Sequence, residues 1–171
     1  MLIDGGFFAL LLLSFALGDL EQRRSFADAQ RLLDVHLGVL NTMLLLTSSW
    51  SVANAMHNAR RASFRSIRRF LVLGAACGLA FAVVKMFEYG AHIAAGMTAA
   101  TNDFFMFYFT ITAIHLAHVL AGVVLLFVMA SRSARYGPDH MLGLEIGAIY
   151  WHFVDLVWVI IFPMLYLVRW Q

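Results

Sequence analysis

Long apolar runs separated by short polar breaks organise this chain, and most of its charge falls in the breaks. A membrane span needs about 20 apolar residues, roughly 17–25 with tilt. Five stretches approach or meet that length, at about 2–18, 35–56, 69–89, 103–130 and 143–169. None alternates with the period of two that a strand would show, and only helices and closed barrels satisfy backbone groups in lipid. The runs therefore predict five transmembrane helices. The first is the shortest and is weakened by Gly5 and Gly6, whereas the last two are long enough to tilt or to project from the bilayer. Between the first two runs, "DLEQRRSFADAQRLLD" (19–34) sets Phe26, Ala29 and Leu33 at helical spacing among charges. That pattern predicts a separate interfacial helix on the outer face. Pro138 marks the break between the fourth and fifth runs, and Pro163 in "IIFPMLY" predicts a kink in the last helix.

Composition agrees. Hydrophobic residues make up 62% of the 171 and charged residues only 13%, with a mean hydropathy of +0.80. A soluble domain of this size could not hide so much apolar surface. The expected fold is an all-α polytopic membrane protein, five transmembrane helices in one bundle, with no repeat or linker dividing residues 1–171. A net charge of +2 gives no reason to expect nucleic acid. Orientation follows from the arginines. One side carries Arg60, Arg61, Arg65, Arg68, Arg69, Arg132 and Arg135; the other has Arg23, Arg24, Arg31 and Arg169, offset in part by Asp19, Glu21, Asp28 and Asp34. The excess places the N-terminus in the cytoplasm and the C-terminus outside. "RRASFRSIRR" between two spans reads as a topology anchor meeting anionic headgroups. Aromatic groups such as "DFFMFYF" and "MLYLVRW" read as a belt at the outer interface. Asp4 precedes the first run and no small-residue cleavage site closes it, so that run is expected to be retained. The lone Cys77 excludes an internal disulfide.

Depth singles out the chemistry. At about 1.5 Å per residue, His115 and His118 lie about 18 and 22 Å from the outer start of the fourth helix. His152 and Asp155 lie about 14 and 18 Å from the inner start of the fifth. All four fall near the middle of a hydrocarbon layer about 30 Å thick. Each pair is three residues apart and shares a helix face, so helices four and five are expected to meet through these residues. A His–Asp bond, with Tyr108 or Asn41 as further partners, would offset the cost of an intramembrane ionisable group. Three readings stay open for this polar cluster: haem ligands, as in a haem b electron carrier; stations of a proton or ion transporter; or fasteners between helices. Nothing titratable links the midplane to Glu145 below or Glu88 above, and no three ligands stand at a recognised metal spacing. Lys85 and Glu88 read as an i,i+3 ion pair near the outer end of the third helix, both groups reaching the interface. The 9 methionines are scattered and make no copper motif.

Four stretches resemble a known family. "FMFYFTITAIHLAHVLAGVV" (105–124) and "EIGAIYWHFVDLVWVIIFPMLYL" (145–167) are similar to the last two helices of subunit III of haem-copper oxidases. "FEYGAHI" (87–93) and "NTMLLLTSSWSVANA" (41–55) are similar to earlier segments of the same family, in the same order. The resemblance implies a non-catalytic subunit with no haem, copper or other cofactor of its own. Its partner would be a haem-bearing, and in some cases copper-bearing, catalytic subunit, and it would bind phospholipid in a bacterial inner (plasma) membrane. His115, His118, His152 and Asp155 would then be internal fasteners. Asp4 would occupy the place of a family carboxylate that reacts with carbodiimides, though as a shorter acid close to the chain start. On that resemblance the five runs are expected to correspond to the seven-helix members without their first two helices, and the compact first loop looks most like the subunit-III-like proteins encoded with nitric oxide reductases. The expected partner is therefore an oxygen-reducing oxidase or a nitric oxide reductase.

Overall fold

A computed structural model describes residues 2–59, 64–133 and 141–168. They form five helices: α1 (Leu2–Gln30), α2 (Val35–Ala59), α3 (Phe64–Ala94), α4 (Asp103–Arg132) and α5 (Met141–Phe162), the last running into a π turn at Pro163–Leu167. Arg60, Arg61, Arg135, Pro138 and Arg169 lie outside the described residues, as do the side chains of Asp4, Asp19, Glu21, Arg23 and Arg24.

Side-chain caps set two of the starts. Asp34 Oδ1 accepts the backbone N–H of His36 at 2.8 Å ahead of α2. Asn102 Oδ1 accepts that of Phe105 at 2.9 Å at the head of α4. Each satisfies a donor that a helix N-terminus leaves without an intrahelical partner. At the far end of α5, Pro163 has no N–H to give to the preceding turn. The backbone widens there, and Val168 N–H donates to Pro163 O at 2.8 Å, closing a π turn rather than a simple kink.

Four helices are long and apolar enough to cross a membrane: α2, α3 from Arg65, α4, and Met141–Leu167. In α1 the apolar part is the shorter stretch Gly5–Ala16. The helix expected to stand apart over 19–34 shares one stretch of helix, Leu2–Gln30, with the first run. A straight helix would hold Phe15 and Phe26, eleven residues apart, about 16 Å from each other along its axis. Their rings lie 5.6 Å apart and both meet Phe104 of α4, at 6.1 and 5.7 Å. The axis of α1 therefore bends between them, and Phe104 meets both halves.

The four long helices pack in a ring, each against the next (α2–α3, α3–α4, α4–α5, α5–α2), with α1 laid on the outside of α4. In lipid, helices associate through close packing rather than hydrophobic exclusion, so small residues at contacts matter. Trp151 of α5 is fully buried between Gly78 of α3 and Gly122 of α4. A Cβ on either glycine would stand 2.7 or 2.6 Å from the indole. Glycine at both positions lets the ring close around the indole.

Candidate functional site

The most enclosed charges sit on α3. Lys85 and Glu88 form the i,i+3 pair that the sequence suggests, at 3.0 Å, but each side chain is only 1% exposed. The expectation that both reach the interface fails. Two residues read as part of an interfacial belt meet them instead, Tyr108 of α4 and Tyr166 of the π turn, and Phe104 and Phe105 of the same belt are also buried. Lys85 Nζ donates to Glu88 Oε2 at 3.0 Å, to Tyr166 Oη at 2.8 Å and to Tyr108 Oη at 3.2 Å. Three partners account for the three protons of an ammonium. Tyr166 Oη donates in turn to Glu88 Oε1 at 2.5 Å, and His92 Nε2 lies 4.0 Å from the same oxygen. Nζ also stands 4.9 Å from the ring centre of Tyr108 and 5.2 Å from that of Trp158. Those aromatic faces favour a cation. The signal available in sequence was the coincidence of "KMFEY" with tyrosines at the outer ends of α4 and α5. It does not say which aromatics turn inward.

The midplane residues separate where the sequence suggests they meet. His115 is buried, stacked on Trp158 at 5.3 Å and 27° and edge-on to Phe81 at 5.6 Å. Neither of its ring nitrogens has a hydrogen-bond partner among the described residues. His118 Nδ1 is 2.8 Å from Ile114 O on its own helix, and Tyr150 Oη donates to His118 O at 3.2 Å. His152 turns the other way, its Nδ1 2.7 Å from Ser49 Oγ of α2. Asp155 is 4% exposed, and neither carboxyl oxygen has a partner among the described residues. The proposed His–Asp bond is therefore not formed, and neither Tyr108 nor Asn41 serves these groups. Tyr108 is engaged by Lys85, and the Asn41 amide is buried without a partner among the described residues. The reason is helix rotation. Trp151 and Trp158, one heptad apart, take the positions facing α3 and α4, leaving His152 toward α2.

Other polar contacts stitch helix to helix. Ser48 Oγ donates to Gly74 O at 2.7 Å between α2 and α3, and Trp158 Nε1 donates to Thr42 Oγ1 at 3.0 Å between α5 and α2. Gln30 Nε2 donates to Leu165 O at 3.0 Å, tying the end of α1 to the π turn. Among the described residues no three His, Cys, Asp or Glu side chains converge as a metal would require.

These contacts lie within a matched region. A family model described as cytochrome c oxidase subunit III matches residues 18–170. The chain belongs to the cytochrome c oxidase subunit III family. It is 29% identical over 137 residues to cytochrome c oxidase subunit 3 of Thermostichus vulcanus, covering 78% of this chain and 67% of that protein. With cytochrome c oxidase subunit 3 of Corynebacterium diphtheriae it shares 28% over 171 residues, covering 99% and 82%. Quinol oxidase subunit 3 of Bacillus spizizenii is 28% identical over 138 residues, covering 80% and 68%. Four apolar helices and bacterial relatives fit a multi-pass membrane protein of this subunit III family. The Lys85–Glu88 network and the Ser49–His152 contact fall inside the matched stretch, whereas Asp4 precedes it.

Proposed function

We propose that this chain is a non-redox accessory or assembly subunit of a respiratory haem-copper enzyme, packed on the haem-bearing catalytic subunit. It sits in a bacterial plasma membrane with five spans, its N-terminus cytoplasmic and its C-terminus outside, and it holds phospholipid. The match to subunit III over residues 18–170 carries this reading. The internal chemistry supports it. Lys85 and Glu88 spend their hydrogen bonds on each other and on two tyrosines. His115 and His152 face different neighbours rather than one another. Such residues fix helix register, a use better attested for buried polar groups than stability. The catalytic partner is an oxygen-reducing oxidase or a nitric oxide reductase; the compact first loop favours the second. Asp4, His115, His118, His152 and Asp155 take no part in electron transfer on this reading.

The test is co-purification. Tagged protein extracted from native membranes in mild detergent should bring down a haem-bearing polypeptide, seen as a Soret band that this chain lacks when expressed alone. Consumption of oxygen or of nitric oxide by the purified complex then distinguishes the two partners. Elution of the chain alone from native membranes would refute the subunit reading.

A further inference from the structure

A groove of about 550 Å³ runs between α2 and α5, bordered by Ala53, Met56 and His57 on one side and by Glu145, Ile149 and His152 on the other. Ala53 and Ile149 are exposed, so the groove opens on the outside of the helix ring. His57 lies in the last turn of α2 and Glu145 near the start of α5, at the membrane face where α3 begins with Arg65, Arg68 and Arg69. His152 lies seven residues farther along α5 than Glu145, about 10 Å deeper. There it is only half-buried, with its Nδ1 on Ser49 Oγ.

The helix that forms one wall differs from its neighbours. Of the four long spans, α2 has the lowest hydropathy and the smallest buried share. Thr47, Trp50 and His57 are exposed on it. The exposed positions of α3 and α4 include Val83, Phe87, Val124 and Phe127 instead, as lipid requires. Polar and ionisable side chains within a span ordinarily face protein or a water-filled cavity.

We infer that the α2–α5 groove seats a transmembrane helix of the haem-bearing catalytic subunit, with a basic side chain of that helix opposite Glu145 and a hydrogen-bonding group opposite His152. The inference rests on the subunit reading and adds the surface through which the two chains meet. Charge decides the occupant. Glu145 has no ion-pair partner among the described residues. The α3 arginines line a separate groove of about 610 Å³, together with Val72, Leu73 and Ala76. An anionic headgroup is drawn to those arginines and repelled by a carboxylate at Glu145. A membrane-spanning helix, by contrast, brings Lys or Arg at its cytoplasmic end, the face proposed for Glu145. Ala53 and Ala148 stand on opposite walls, and small side chains let helix backbones approach closely. A helix seated there also takes the His152 imidazole out of contact with lipid.

Photo-crosslinking in native membranes tests it on the full chain. A benzophenone amino acid at Ala53 or Ile149 should join this chain to the haem-bearing polypeptide, and one at Val83 or Val124 should not. Retention of that polypeptide on the tagged chain should fall about tenfold in Ala53→Trp, which fills the groove, and stay at the parental level in Val83→Trp. Glu145→Lys should lower it as well, by placing like charges together. The inference is overturned if the haem-bearing polypeptide co-purifies but is crosslinked as readily from Val83 or Val124 as from the groove. Groove adducts with lipid alone, or with a second copy of this chain, overturn it equally, and in each of these cases the subunit reading stands. If no haem-bearing polypeptide co-purifies, both fall together.

Discussion

Tyr166 donates its hydroxyl to Glu88 at 2.5 Å, joining residues 78 apart in the chain. The contact requires the π turn, because an unbroken helix through Pro163 would carry position 166 to another angle. Proline at 163 removes a backbone donor, the turn widens, and the tyrosine swings over the Lys85–Glu88 pair. A local backbone defect thus completes a buried polar network between α3, α4 and the C-terminal segment. Gln30 reinforces it from α1 by binding the Leu165 carbonyl.

Removing one member of that ion pair should cost more than removing both. Lys85→Met leaves a carboxylate enclosed by tyrosines, and Glu88→Leu leaves an ammonium there. Loss of one partner of a buried pair typically costs about 3–5 kcal/mol, whereas apolar replacement of both is often neutral. Thermal melts in detergent of Lys85→Met, Glu88→Leu and the double variant measure the coupling. Additive losses would show that the two side chains act independently.

The C-terminal turn should loosen in two graded steps. Tyr166→Phe removes the hydroxyl shared by Lys85 and Glu88, and hydrogen bonds to charged groups are worth about 1.5–3 kcal/mol. Gln30→Leu removes one neutral bond, worth about 1 kcal/mol. Hydrogen exchange of the amides from 163 to 168 should rise in both variants, and further in Tyr166→Phe. Equal or reversed protection would place the anchor elsewhere.

Much of this fold could be read from hydrophobic runs. The expected spans at 35–56, 69–89 and 103–130 lie within α2, α3 and α4, and the last span ends as a helix plus the π turn at Pro163. What escaped were rotations. Whether Tyr108 faces lipid or Lys85, and whether His152 faces α4 or α2, depends on which large side chain wins the bundle interior. Trp151 and Trp158 win on α5, and no local pattern announces that, since tryptophan is also common at interfaces. The joining of 19–30 to the first run, with a bend between them, escaped for a similar reason. Charges over 19–34 suggest a surface helix, while the Phe15–Phe26 contact that keeps it on α4 is tertiary. The candidate site was legible as a set of residues but not as a set of pairs.

Trp151 makes the ring of helices intolerant of bulk at one level. Gly122→Ala places a methyl 2.6 Å from the indole, so ring or helix must move. Overpacking of this kind costs about 1–3 kcal/mol. The loss should shrink when Gly122→Ala is combined with Trp151→Phe, whose smaller ring frees space. A double variant as unstable as the sum of the singles would mean that backbone, not the indole, meets the methyl.

His115 and His152 should respond differently to the same substitution. His115 is surrounded by Trp158, Phe81 and Phe8, and its ring nitrogens have no partner among the described residues. His115→Phe therefore exchanges one planar ring for another and relieves two buried polar atoms, a change that can be neutral or stabilising. His152→Phe instead takes the partner of the Ser49 hydroxyl and should cost about 1 kcal/mol. Detergent melts of the two variants give the order, and the Soret band of any co-purifying haem should be the same in both. If His115→Phe proved the more damaging, or the haem spectrum changed with it, its nitrogens would hold a bond in the assembled protein. A ligand role for that imidazole would then have to be taken up again.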